Sequence, residues 1–334
     1  MTPTRRVAKE TTDMQNTETI LGAIDPEVAE RLVTRREAIR QGASVSSTVA
    51  AGLAMASVPV ALAALSKDAF AQTTTTVQDV LNFALMLEIF ENEFYKAVLG
   101  TSSSTAQNTA FTTVRALVPA AARTSLGQIQ KHEAQHVAFL LSAGAVNVLN
   151  LTADSFDFTG GRGAAPGPFL AATTDVAFLL LTAQAAEDTG VRAYKGQAPN
   201  LVSNTAVLEN ALRIHSVEAR HAAKIRRMRR LLAGAPSTVR FSGTVSGGDA
   251  SAAGATGTPP QAAVAALGLV YGAGTDAANF PNEANTTQGG IAIGNLPNLP
   301  TGFSTNSATE AFDEPLSRND VRTIVQPFFK VTIP

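Results

Sequence analysis

The sequence predicts an all-α core: a four-helix bundle with a long crossover between its second and third helices, followed by an irregular C-terminal extension. Three observations carry this. Four segments of similar length place apolar residues at helical spacing. Each begins and ends on helix start and stop signals. A long stretch of Asn, Asp, Gly and Pro separates the second segment from the third, too long for a turn and suited to a crossing from one bundle end to the other.

The chain has 334 residues, enough for two average domains or one domain with appendages. Residues 1–71 read as a leader. TRREAIR, residues 34–40, precedes a mildly apolar stretch from Ala43 to Leu65 and then Ala69-Phe70-Ala71. This resembles a twin-arginine export signal, with Ala38, Ile39 and Arg40 where that pattern usually has Phe, Leu and Lys. The resemblance implies cleavage after Ala71 and export of the folded protein to the periplasm or cell envelope. An uncleaved anchor is the alternative, since the run is about long enough to span a bilayer. Its Ala, Ser and Gly content, Pro59 and the Ala-x-Ala ending favour the cleaved signal, leaving no membrane span.

Residues 72–234 read as the bundle. Thr76 can cap a first helix from Val77 to Leu99, stopped by Gly100. Residues 101–120 are polar, then irregular. A second helix is expected from Ala120 to Ser142, ending at Gly144, and residues 145–171 form the crossover. A third runs from Thr173 to Lys195, with Asp175 in its first turn and Gly196 after it. The fourth runs from Asn204 to Leu232 and ends at Gly234. At 1.5 Å per residue such helices are roughly 35–43 Å long, near-equal as a bundle requires.

Residues 235–334 change character. Residues 243–260 are a Gly, Ala, Thr and Ser linker. Residues 261–300 hold short apolar pieces among Asn and Gly. Ser317 and Asp320 can cap one short helix that Pro327 ends. This extension has too little apolar sequence for its own large core and is expected to lie on the bundle.

Composition narrows the chemistry. A formal net charge of −1 without a long basic tract argues against nucleic acid as partner. With no cysteine, thiolate metal sites, disulfides and a cysteine nucleophile are excluded. Only 16% of residues are charged, so each charge inside an apolar run needs a reason.

The first helix contains LNFALMLEIFENEFY, residues 81–95. Glu88 stands there among Phe83, Leu85, Met86, Leu87, Ile89 and Phe90, where an uncompensated carboxylate would cost several kcal/mol. Tyr95, seven residues on, returns to the same face. The third helix repeats the pattern with Glu187 and Tyr194. The second carries KHEAQH and the fourth HSVEARH, so Glu133 with His136, and Glu218 with His221, share faces at i, i+3. A bundle that turns all of these inward gathers four carboxylates and two imidazoles. Two divalent cations would neutralise the four carboxylates. Oxygen and nitrogen ligands without sulfur suit iron or manganese, with zinc admitted.

The chain resembles the ferritin-like superfamily, and more narrowly exported bacterial ferritin-like domain proteins related to plant desiccation-related proteins. LNFALMLEIFENEFY resembles that family's first helix, and YGAGTDAANF (residues 271–280) and EAFDEPLSRNDVRTIVQPFF (residues 310–329) resemble its C-terminal region. The resemblance implies a metal ligand set of Glu88, Glu133, His136, Glu187, Glu218 and His221. Glu133 and Glu218 would bridge, Glu88 and Glu187 would be terminal, and each histidine would bind one metal.

Neighbouring residues divide. Glu91 and His215 are candidate extra ligands, or else outer partners of the ligands. Tyr95 and Tyr194 are candidates for hydrogen-bonding the ligand carboxylates or for redox chemistry. Gln184 is placed near the cavity, Glu93 in solvent, and His132, about 100° from Glu133, on the surface or at an interface. The arginines that end the fourth helix read as a solvated, dipole-complementing cluster, or more weakly as a dock for the tail.

These readings make the protein an exported di-metal oxidoreductase acting on dioxygen, peroxide or ferrous iron: a ferroxidase, a peroxidase or a manganese-catalase-like enzyme. The alternative is a non-catalytic envelope or stress-protection protein that keeps the bundle for stability. The partners are metal ions and small oxidants, and a homodimer is left open.

Overall fold

The computed structural model describes residues 75–232, 261–303, 309 and 312–334, which belong to one structural unit. The twin-arginine segment, the cleavage site, Gly234 and the 243–260 linker lie outside the described residues.

Four long helices form the core: α1, Val77–Leu99; α4, Ala120–Ser142; α5, Val176–Gln197; and α6, Thr205–Leu232. Between the first two lie α2, Thr105–Ala110, and α3, Thr112–Leu117, in the stretch expected to be irregular. Ser104 starts α2 by accepting from the Gln107 N–H, a cap that supplies what apolar periodicity did not. Helix α1 begins with a capping box in which Thr76 and Asp79 accept from each other's backbone N–H at 3.1 and 3.0 Å. It ends where Gly100 takes φ 80°, a left-handed conformation that favours glycine.

Helices α1 and α4 pack along their length, as do α5 and α6. The buried residues of α4 are Leu126, Ile129, Glu133, His136 and Leu140, a stripe at alternating three- and four-residue steps. In α6 the same stripe holds Ile214, Glu218, His221, Ile225 and Met228. The ionisable side chains are therefore members of the apolar seam itself. Helices α1 and α5 are buried on nearly every face, because the crossover and the C-terminal segment cover their outer sides.

That cover is aromatic. The Phe90 ring of α1 lies 5.5–5.9 Å from the rings of Phe156 and Phe158 in the crossover and Phe328 and Phe329 near the C-terminus. Helix α7, Gln261–Tyr271, a β-ribbon of Thr287–Gln288 (β1) and Ile291–Ala292 (β2), and helix α8, Arg318–Val325, complete the extension. Ser317 caps α8 by accepting from the Asp320 N–H. Helix α7 arises in a stretch read as short apolar pieces. Its sequence QAAVAALGLVY is apolar on all sides, so no helical periodicity marks it.

Two details of α5 depart from expectation. Asp175 is the N-cap, accepting from the Phe178 N–H at 2.7 Å, and does not lie in the first turn. Gly196 does not stop the helix; a Cβ there would collide with the Leu316 carbonyl, so glycine lets the tail's backbone lie directly on α5. Arg192, 1% exposed, anchors that contact. Its guanidinium donates to the carbonyls of Gly272, Pro281, Glu314 and Pro315 at 2.9–3.3 Å and to that of Val270, and pairs with Glu283 at 3.0 Å. Among the described residues, no helix is long and apolar enough to cross a membrane.

Candidate metal centre

The six side chains converge. Glu88, Glu133, Glu187 and Glu218 are fully buried, and His136 and His221 nearly so. His136 Nδ1 lies 3.0 Å from Glu88 Oε2, 3.0 Å from Glu133 Oε2 and 3.2 Å from Glu218 Oε1. His221 Nδ1 lies 2.8 Å from Glu133 Oε1, 3.2 Å from Glu187 Oε2 and 3.9 Å from Glu218 Oε2. The donors thus form two overlapping groups: Glu88, Glu133, His136 and Glu218; and Glu133, Glu187, Glu218 and His221, each with ligand atoms within 4.8 Å of one another. Glu133 and Glu218 belong to both, and Glu88 and Glu187 to one each.

Protons alone satisfy this arrangement poorly. One imidazole N–H cannot make three linear hydrogen bonds. Glu133 Oε1 and both oxygens of Glu218 are buried without an aligned hydrogen-bond donor. Cations held by the two groups would give these oxygens the partner they lack. The all-oxygen-and-nitrogen donor set fits a hard or borderline divalent metal.

Electrostatics points the same way. Burial first, then neighbouring carboxylates, pushes Glu218 and Glu91 well above the ordinary carboxylate range. Burial also raises Glu133, to about 7, although His136 and His221 oppose the shift. Burial works against the charged imidazolium of His136, but the close carboxylates of Glu133, Glu218 and Glu88 outweigh it and raise its pKa. The same contest, with Glu133 and Glu187 as acceptors, carries His221 up to about 11. Without metal, the cluster holds protons to offset its negative charge.

Tyr95 and Tyr194 cross over. Tyr194 donates to Glu88 Oε1 at 2.5 Å, and Tyr95 donates to Glu187 Oε1. Each tyrosine serves the carboxylate of the other helix. Burial, then the adjacent carboxylate, raises both phenols, so both stay protonated as donors.

Glu91 is buried beside Glu218 and outside both groups of four. Gly190 of α5 faces the pair: a Cβ there would stand 3.2 Å from Glu218 Oε2 and 3.3 Å from Glu91 Oε1, so the missing side chain leaves room for the carboxylates. His215 stays out of the centre, its Nδ1 3.1 Å from the Val191 carbonyl. Of the two readings of His215, this position fits the hydrogen-bonded partner: one turn along α6, it reaches helix α5.

His132 is exposed, as expected, and also touches the centre, whereas Glu93 and Arg229 sit differently from expectation. His132 Nδ1 lies 2.9 Å from His221 Nε2, with the two rings stacked. With His221 Nδ1 turned to the carboxylates, Nε2 can carry the proton and donate to His132. The i, i+4 spacing of His132 and His136 was the available signal. Glu93 is buried and paired with Lys96 at 2.7 Å. Arg229, read as solvated, is fully buried and donates to Gln184 Oε1 at 2.6 Å, while Arg226 pairs with Asp188 at 2.7 Å. Asp188 also accepts from Tyr271 of the extension at 2.8 Å.

A four-helix bundle with two interleaved carboxylate–histidine sets in its seam defines a helical protein with an interior centre able to hold metal. Residues 76–230 match the family model of the ferritin-like domain, in keeping with the four-helix core they form. No curated protein and no solved structure matches the chain.

Proposed function

We propose that the cluster binds two divalent cations, iron or manganese by its donor chemistry, and that the protein is an oxidoreductase acting on dioxygen, peroxide or ferrous iron. The observation that carries this is the pair of four-residue donor groups sharing Glu133 and Glu218. Bound redox-active metals would supply the exchange of electrons with the oxidant. The chain's own residues do the rest. Glu133 and Glu218 would be shared by the two cations, with Glu88 and His136 holding one and Glu187 and His221 the other. Tyr194 and Tyr95 fix the outer carboxylates. The aromatic cover over α1 excludes water on that side.

Export by the twin-arginine route belongs to the same proposal and rests on Arg35-Arg36 and the Ala69-Phe70-Ala71 ending. The N-terminal sequence of protein recovered from the cell envelope tests it, with Gln72 expected as first residue.

The test of the centre is the number and identity of metals in the purified protein, followed by peroxide-removal and ferrous-oxidation assays. About two metals per chain, lost in Glu133→Ala, with turnover in one of those assays, is the expected result. Metal without turnover, and a loss of stability on chelation, would instead favour the envelope stress-protection role.

A further inference from the structure

A cavity of about 240 Å³ enters the bundle beside the centre. Ser142, at the end of α4, and Ala206, at the start of α6, are its exposed rim. Leu87 and Tyr194 lie on its buried side. Alanines 84, 193 and 211 on three different helices leave the space that larger seam residues would fill. Tyr194 is the same residue that donates to Glu88. It is 8% exposed, whereas its counterpart Tyr95, which does not line the cavity, is sealed at 0%.

No charged residue lines this space; Ser142, Asn210, Gln197 and Tyr194 are its polar residues. A charged molecule would leave its hydration there without a partner. A cavity of about 150 Å³ lined by Leu, Ile and Phe stays dry and takes benzene. This one is larger, continuous with solvent at one end, and reaches a residue bonded to the centre at the other.

We propose that the cavity binds an uncharged, largely aliphatic small molecule and presents it to the Tyr194–Glu88 side of the centre. The binding stands on the cavity alone; its presentation to a metal centre rests on the di-metal reading above. The asymmetry between the tyrosines follows from it: the tyrosine bonded to Glu88 lines the apolar cavity, and the one bonded to Glu187 does not.

The test is isothermal calorimetry of the full chain with 1-hexanol and n-butylbenzene, on metal-loaded and chelated protein separately, with hexanoate as the charged control. Saturable binding to both forms is expected, with a negative heat-capacity change from apolar burial and hexanoate at least tenfold weaker. Ala211→Phe, which fills the wall at a half-buried position, should weaken binding at least tenfold while leaving metal content unchanged. If that variant does not fold, Ser142→Phe at the exposed rim makes the same test. Absence of saturable binding, equal binding in the filled variant, or equal affinity for hexanoate overturns the proposal. Because chelated protein is measured too, a failure of the cavity is distinct from a failure of the metal centre.

Discussion

Tyr194 of α5 donates a 2.5 Å hydrogen bond to Glu88 of α1. The bond ties the two most buried helices together at the centre and holds one outer carboxylate in a fixed orientation. Removing an outer partner of a metal ligand typically costs 10–100-fold in affinity. Tyr194→Phe keeps the ring and its packing and takes away only the hydroxyl. It should weaken the Glu88–His136 position by about that factor and leave the Glu187–His221 position nearly intact. A stepwise metal titration resolves the two. Equal weakening of both steps, or of neither, would falsify the assignment of Tyr194 to one position.

Proton release should accompany metal binding. In the chelated protein His221 is raised to about 11 and His136 is also raised, so both imidazoles carry a proton near neutrality. Metal requires Nδ1 free. Loading two cations should therefore release at least two protons, and apparent affinity should rise about tenfold per pH unit for each proton displaced. A weakly buffered titration with an indicator dye counts them directly.

Stability without metal should run the other way. Glu133 moves from an ordinary 4.5 to about 7 on folding, so the folded chain holds the extra proton between those values. Its stabilising contribution is complete below 4.5 and is lost as pH rises through about 7. His221, moved from 6.5 to about 11, extends the loss upward with the same sign. The melting temperature of chelated protein should fall steadily from pH 5 to pH 9. Metal-loaded protein should show a flat or rising profile, since metal replaces those protons.

The seam explains what was legible in the sequence. Glu88 and Glu187 announce themselves by standing in apolar runs, and Glu133 with His136 and Glu218 with His221 by i, i+3 spacing within a stripe that repeats every three and four residues. Capping chemistry at Thr76 and Gly100 is local, so those bounds could be read directly. What depends on a distant partner could not. Glu88 and Tyr95 do share a face, but the hydroxyl reaches Glu187 on another helix. Arg229 looks solvated until Gln184, on another helix, is brought to it. Helices α2 and α7 lack an amphipathic period, one being mostly polar and the other apolar on all sides.

His132 should act on the centre through His221. Its ring accepts from the nitrogen that His221 turns away from the carboxylates, with the ring centroids 5.1 Å apart. His132→Ala should lower affinity at the Glu187–His221 position by about 10–100-fold. His132→Gln, which keeps an acceptor, should recover part of it. Since His132 is exposed, the substitution should scarcely change the melting temperature of chelated protein. A drop of several degrees there would mark His132 as a packing residue and sink the orienting role.

Arg192 decides whether the extension stays on the bundle. Its guanidinium gathers the carbonyls of residues 270, 272, 281, 314 and 315 and the Glu283 carboxylate around one point against α5. Arg192→Leu keeps an apolar stem but strands Glu283, which is 3% exposed, and orphans several buried carbonyls. Breaking a buried pair from one side costs about 3–5 kcal/mol. The double variant Arg192→Leu with Glu283→Leu removes the stranded charge and should recover part of the loss. Limited proteolysis gives the second readout: the single variant should be cut within residues 261–334 well before the four long helices. The tail lies over α1 and α5, which carry Glu88 and Glu187, so the same variant should also release metal faster than the parent. Unchanged cleavage and unchanged metal retention would mean that Phe328, Phe329 and Tyr271 hold the extension down without the arginine.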